Sequence, residues 1–314
     1  MLNLAIETGY NYTLNGKDKF GARLYLQQFF KKIGIKVVRV SINKFNKEKG
    51  MFDEYNILDD NGNNLLVNKS IKPDILWIRN LSYILYKHNI LKKFIIVPSI
   101  KISIIGHDKM ENFKFLEKYQ PMTCLLKDFL ENTEIQKKFT GKVVLKPIRA
   151  NGGKGIKLFN KKDLIKKNNQ YEGLGELFIV QEFKDFSKGF GNITKGVHDL
   201  RLMFAGKKII EITLREPKKG DFRSNIGSGG KQIFLDKSQI PKDLLRLAKK
   251  IYIDIDIDDN NIFSMDFAYC KKENKWYLLE INSSPGTRFY QTDKNVLKKI
   301  FKGLAKFFIN LTKK

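Results

Sequence analysis

Apolar positions along this chain recur at two periods. Residues 2–6 and 35–42 are short apolar runs, and between them Leu24, Leu26, Phe29, Phe30 and Ile33 fall on a helical period that Gly34 closes. That strand–helix–strand order predicts a small α/β layer with parallel strands. Residues 73–80 add a buried strand ending in Arg79. Ligands gather beyond the carboxyl ends of such strands, so Arg79 is either a contact for an anionic substrate or a plain surface cation. Phe113, Leu116 and Tyr119 predict a helix over 110–119, with Asp108 as its N-cap and Pro121 beyond it. Strands follow over 142–148, 156–159 and 178–183, then a pair over 197–204 and 208–214 turning at Ala205-Gly206. Asp254, Asp256, Asp258 and Asp259 alternate with isoleucines, which predicts the outer face of a strand or turn. Ile262, Phe263, Met265 and Phe267, and then Trp276 to Ile281, predict two strands joined by a polar turn over 271–275. Over 296–311, Leu297, Ile300, Phe301, Leu304 and Phe308 lie in helical register with lysines opposite. Such a helix closes a domain's core or lies on a membrane surface.

A chain of 314 residues, 42% hydrophobic and 29% charged, is globular and long enough for two or three domains. It has no apolar run long enough to span a bilayer, and its first residues lack the pattern of a signal peptide. Cys124 and Cys270, the only cysteines, have neither metal nor disulfide spacing, so a cytoplasmic protein is expected. The net charge of +26, from 59 basic and 33 acidic residues, admits anionic partners, nucleic acid among them. Scattered lysines fit compositional drift equally well.

Candidate chemistry is set into the apolar strands. Glu280 and Asn282 are two apart and project from one strand face, and pairing as a hairpin brings Asp266 opposite them. Two carboxylates and an amide oxygen suit a hard cation such as Mg²⁺ carrying phosphates; a solvated face that carries acids is the other reading. Gly152, Gly153 and Gly155 lie between two strands, with Lys146 just before them. A hairpin of this kind can close its N–H groups over phosphates, or be an ordinary turn. It is not a Walker loop, and no dinucleotide fingerprint occurs near the N-terminus. The connection over 215–230, with Arg215, Arg223, Ser224, Asn225 and four glycines, is long for an idle link.

In order, these motifs resemble the ATP-grasp carboxylate–amine ligases, and most of all the RimK-like amino-acid ligases related to glutathione synthetase. The likeness covers roughly residues 73–286, and K-G-D-F-R-S-N followed by G-G is its most specific piece. The resemblance implies an ATP-grasp fold of α/β and α+β parts. An N-terminal Rossmann-like domain over 1–105 would precede a small lobe over 106–183 and a C-terminal lobe over 184–314. It implies ATP-driven joining of a carboxylate to an amino acid such as glutamate, through an acyl-phosphate, with Mg²⁺ or Mn²⁺.

Carried over, Lys109 and Lys146 would hold phosphates, and the Gly152–Gly155 loop would cover them. Glu182 and Phe183 would be the adenine hinge, reading the base mainly through backbone groups. Asp199 would sit by the ribose, and Arg223, Ser224 and Asn225 at the acyl-phosphate end. Arg201, Arg215 and Arg223 would meet reacting charge, and Asp266, Glu280 and Asn282 would bind the metal. The partners implied are a carboxylate acceptor and an amino-acid donor, and a homo-oligomer is admitted. Gly227-Ser228 stands where the family often has His-Arg, which puts glutamate in question. A peptide-maturation or dipeptide ligase is the neighbouring reading, and a nucleotide-binding module without turnover the distant one.

Overall fold

The computed structural model describes residues 1–7, 22–79, 94–150, 152–218, 220–221, 224, 229–286 and 294–313. Three sheets carry the architecture. The first has the order β6-β5-β2-β1-β7-β8 and uses β1 (Leu2–Glu7), β2 (Ile35–Val40), β5 (Tyr55–Leu58), β6 (Asn64–Val67), β7 (Ile75–Ile78) and β8 (Ile95–Val97). β3 (Phe45–Asn46) and β4 (Met51–Phe52) form a ribbon beside it. β2, β1, β7 and β8 run parallel, as the first apolar runs predict. β7 is buried along its whole length, the signature of a strand covered on both faces.

The second sheet, β11-β10-β12-β9, is antiparallel: β9 (Thr123–Leu125), β10 (Lys142–Pro147), β11 (Lys157–Asn160) and β12 (Phe178–Glu182). The third, β15-β14-β13-β16-β17, is also antiparallel: β13 (Asp199–Ala205), β14 (Lys208–Glu216), β15 (Lys231–Phe234), β16 (Ile262–Cys270) and β17 (Lys275–Asn282).

One face of the third sheet sends Leu200, Leu202, Phe263, Met265 and Phe267 into a core with the helix Lys242–Ile255. Here the expectation for the aspartate run is corrected. Asp254 lies in that helix, where Ile251 and Ile255 face the core four residues apart while Ile253 is 64% exposed. Asp256 ends the helix with φ of 50°, and Asp254 bonds Lys118 and Tyr119.

The other face meets the C-terminal helix Lys294–Leu311. Its Leu297, Phe301, Leu304 and Phe308 share a core with Leu4, Phe30 and Trp77 of the first layer and with Met203 and Ala205 of β13. The helix thus joins the N-terminal layer to the third sheet. Among the described residues no helix is long and apolar enough to cross a membrane.

Candidate active site

A cavity of about 340 Å³ opens between the second and third sheets. From the second sheet come Lys146, near the end of β10, and the Gly152-Gly153 turn between β10 and β11. Gly152, Gly153 and Gly155 have φ of 69°, 70° and 74°, where a side chain is strained. A Cβ on Gly155 would come within 2.7 Å of Pro147. Lys109 reaches the same space from the first turn of the helix Lys109–Leu116, which Asp108 caps by accepting from the N–H groups of Met110 and Glu111.

Lys146 Nζ donates to Gln181 Oε1 at 2.6 Å, and Lys109 Nζ to the Ala150 carbonyl at 2.7 Å. Among the described residues neither makes an ion pair. Burial depresses both amines, Lys146 to about 8, with Glu280 opposing the shift in each case. Two enclosed ammonium groups without carboxylate partners form a receptor for polyanions.

The third sheet supplies the opposite wall. Register sets Asp266 against Glu280 and against Arg201, and Asp199 against Arg215. Arg201 donates from Nε and Nη2 to the two Asp266 oxygens at 2.8 and 2.6 Å. Arg215 bridges, bonding Asp199 through Nε and Asp266 through Nη2. Burial opposes ionisation of Asp266, but Arg201 and Arg215 prevail and hold its carboxyl low. Asp199 has one arginine and the neighbouring Asp266 charge, so burial prevails and its carboxyl is raised. Arg215, also buried, remains charged because it faces both carboxylates.

Of the residues singled out from the sequence, the cavity gathers Lys109, Lys146, Gly152, Gly153, Glu182 and Phe183 on one side. Asp199, Arg215, Ser224, Asp266 and Glu280 line the other. Gly155, Arg201 and Asn282 are not among the residues that line it, and Arg223, Asn225 and the loop 9–19 lie outside the described residues.

One expectation is narrowed. The backbone N–H of Glu182 bonds the Met122 carbonyl and that of Phe183 the Lys142 carbonyl, so an N–H for a base has to come from beyond 183. Arg79 does not point into the cavity wall but donates to the Pro285 carbonyl at 3.0 Å, fastening the turn after β17 to the first layer. Gly106 brings the helix Ile100–His107 against that same turn: a Cβ there would lie 2.4 Å from the Ser283 nitrogen.

The oxygens of Asp266, Glu280 and Asn282 are the donor chemistry of a hard cation. Glu280 makes no ion pair among the described residues, whereas Asp266 is bonded by two arginines and Asn282 Oδ1 accepts from the Ser284 N–H. Glu280 therefore fits as the anchor, and a cation taking Asp266 exchanges with Arg201. Sequence reasoning missed Gln181, which also holds Thr123, and His198, whose Nε2 accepts from the Tyr269 N–H at the cavity edge. Neither has a local signal.

A lysine-bearing sheet with a glycine turn, facing a sheet of carboxylates and arginines across one cavity, is the arrangement of an ATP-grasp ligase. The RimK-like ATP-grasp domain matches residues 106–304, and the chain belongs to that family, whose ligases use ATP and a divalent metal. It is 27% identical over 220 residues to a coenzyme gamma-F420-2:alpha-L-glutamate ligase of Methanocaldococcus jannaschii, covering 67% of this chain and 70% of that one. It is 27% identical over 169 residues to a probable alpha-L-glutamate ligase of Coxiella burnetii, covering 53% of this chain and 50% of that one, so it spans half of that relative. The fold is that of a RimK domain ATP-grasp protein from Sphaerobacter thermophilus, with a TM-score of 0.60 at 13% identity over 98% of this chain and 99% of the other.

Proposed function

We propose that the protein joins an amino acid to a carboxylate, on a small molecule or a peptide C-terminus, by an amide bond made through an acyl-phosphate. The observation that carries this reading is the pair of ammonium groups, Lys109 and Lys146, that make no ion pair among the described residues and face Glu280 and the Arg215–Asp266 network across one cavity. A carboxylate is a poor electrophile. Its oxygen attacks the γ-phosphorus, ADP departs, and the new phosphate becomes the leaving group. The amine nitrogen then attacks the acyl carbon, phosphate leaves, and the amine loses a proton.

Such a transfer needs positioning and charge neutralisation rather than a protein nucleophile. Lys109 and Lys146 hold the phosphates, the Gly152–Gly155 turn excludes water above them, and Arg201 meets charge at the reacting end. Arg215 keeps Asp199 and Asp266 in place, Ser224 lines the cavity, and the family resemblance assigns Arg223 and Asn225 with it to the acyl-phosphate end. Glu280, Asn282 and Asp266 would hold Mg²⁺, or Mn²⁺ in its place, which would supply further neutralisation of phosphate charge. The units are residues 1–105, 106–183 and 184–314, and the reliance on ATP suits a cytoplasmic location. Glutamate, named for the relatives, is the reference amine.

The protein incubated with ATP, Mg²⁺, pooled carboxylates and pooled amino acids is expected to release ADP and phosphate. AMP and pyrophosphate would overturn the acyl-phosphate route. Salt-sensitive nucleic-acid binding with no turnover would favour a binding module instead.

A further inference from the structure

Lys146 is aimed by two side chains that carry no charge. It lies two residues beyond Val144 on β10; Val144 stands opposite Gln181 of β12, and Gln181 opposite Thr123 of β9. Side chains two apart share a strand face, so Lys146 and Gln181 are diagonal neighbours on the face that lines the cavity. Gln181 and Thr123 are each 4% exposed. Lys146 Nζ donates to Gln181 Oε1 at 2.6 Å, and Gln181 Nε2 donates to Thr123 Oγ1 at 2.9 Å. The Thr123 hydroxyl donates in turn to the Pro121 carbonyl at 2.9 Å.

The two ends of this chain permit one direction only. An ammonium can only donate and a carbonyl can only accept. Because Pro121 takes the Thr123 proton, Thr123 Oγ1 is left to accept, and Gln181 turns its amide nitrogen towards it. The amide oxygen then faces Lys146. The opposite amide orientation would set an NH2 group against the ammonium and leave buried donors facing each other. Gln181 takes one of the three Lys146 donors, and among the described residues the ammonium has no other hydrogen-bond partner. Being neutral, Gln181 directs the cation without cancelling its charge, as a carboxylate in its place would.

We propose that Thr123 and Gln181 are positioning residues that fix the direction in which Lys146 presents its ammonium to the nucleotide phosphates. This rests on the ligase reading above. Thr123 does not line the cavity and acts on the nucleotide only through Gln181 and Lys146.

The test measures the affinity of the full chain for Mg·ADP by calorimetry at pH 7, below the value of about 8 at which Lys146 loses its proton. Urea midpoints check that each variant folds. Thr123→Val keeps the shape and removes the hydroxyl, whereas Thr123→Ser keeps the hydroxyl and removes a methyl. Thr123→Val is expected to weaken binding about five- to tenfold, the size of one misdirected hydrogen bond, and Thr123→Ser about twofold or less. Gln181→Met should weaken it at least as much as Thr123→Val. Gln181→Glu, which gives Lys146 a permanent counter-charge, should weaken it about tenfold or more. In the Lys146→Met background Thr123→Val is expected to change the affinity by less than about twofold, because its path to the phosphates is already cut. Three results overturn the relay and leave the ligase reading standing: Thr123→Val binding as wild type does, Thr123→Ser binding as weakly as Thr123→Val, or a Thr123→Val effect that persists in Lys146→Met. Absence of Mg·ADP and Mg·ATP binding by the wild type overturns both.

Discussion

Lys146→Met removes a charge and keeps an unbranched side chain. Burial, opposed by Glu280 and reinforced by Lys109, takes the Lys146 amine from 10.5 to about 8. At roughly 1.4 kcal/mol per pH unit this is about 3 kcal/mol of penalty carried by the charged form in the folded chain. Between about pH 8 and 10.5 the unfolded chain holds the proton and the folded chain does not, so wild-type stability gains on the variant as pH rises through that window. Below pH 8 the penalty is present in full. The substitution also forfeits the 2.6 Å bond to Gln181, a loss of about 1 kcal/mol.

The nucleotide-free variant is therefore expected to be more stable than wild type at pH 7 by about 2 kcal/mol, a rise in Tm of several degrees. ADP formation should fall by about 100-fold or more, because in the proposed site the lost cation faces the phosphates. Denaturant titrations of both proteins at pH 7 to 10, with and without Mg·ADP, measure this. The nucleotide supplies the missing counter-charge, so it should close or reverse the gap. A variant less stable than wild type at pH 7, by an amount constant up to pH 10, would refute the reasoning, and retained ADP formation would remove Lys146 from the phosphate site.

Glu280→Gln is expected to abolish turnover and, because Glu280 offsets the buried charges of Lys109 and Lys146, to cost about 1–3 kcal/mol of stability without loss of the folded state; activity in that variant would unseat Glu280 as the metal anchor. Gly106→Ala places a Cβ 2.4 Å from the Ser283 nitrogen, and the forced shift should cost about 1–3 kcal/mol, read as a lower Tm. Asp266 is held at about 2 in the folded chain against 3.8 ordinarily, so its stabilising contribution is present above about pH 4 and lost as pH falls toward 2. In Asp266→Asn that part of the acid dependence should vanish from urea midpoints measured between pH 5 and 2.

The hairpin of Asp266 and Glu280 was legible because two apolar runs flank a polar turn and antiparallel pairing sets the two acids opposite each other, although a bulge leaves Leu279 unpaired next to Glu280. The two cavity lysines, Lys109 and Lys146, were legible through their place at a helix start and before a glycine turn. Asp254 misled because alternating Asp and Ile imitates a strand, while the helix buries Ile251 and Ile255 and leaves Ile253 in solvent; from Asp256 onward the run is the turn it was read as. The roles of Arg201 and Arg215 depend on contacts 65 and 51 residues away in the chain, which local pattern does not carry.

The central claim, that ATP activates a carboxylate by phosphorylating it, is tested most directly with carboxylates enriched in ¹⁸O. In the presence of ATP, Mg²⁺ and an amine, one labelled oxygen is predicted to appear in the inorganic phosphate released with each amide formed. Unlabelled phosphate accompanying amide formation, or label carried into AMP, would contradict it.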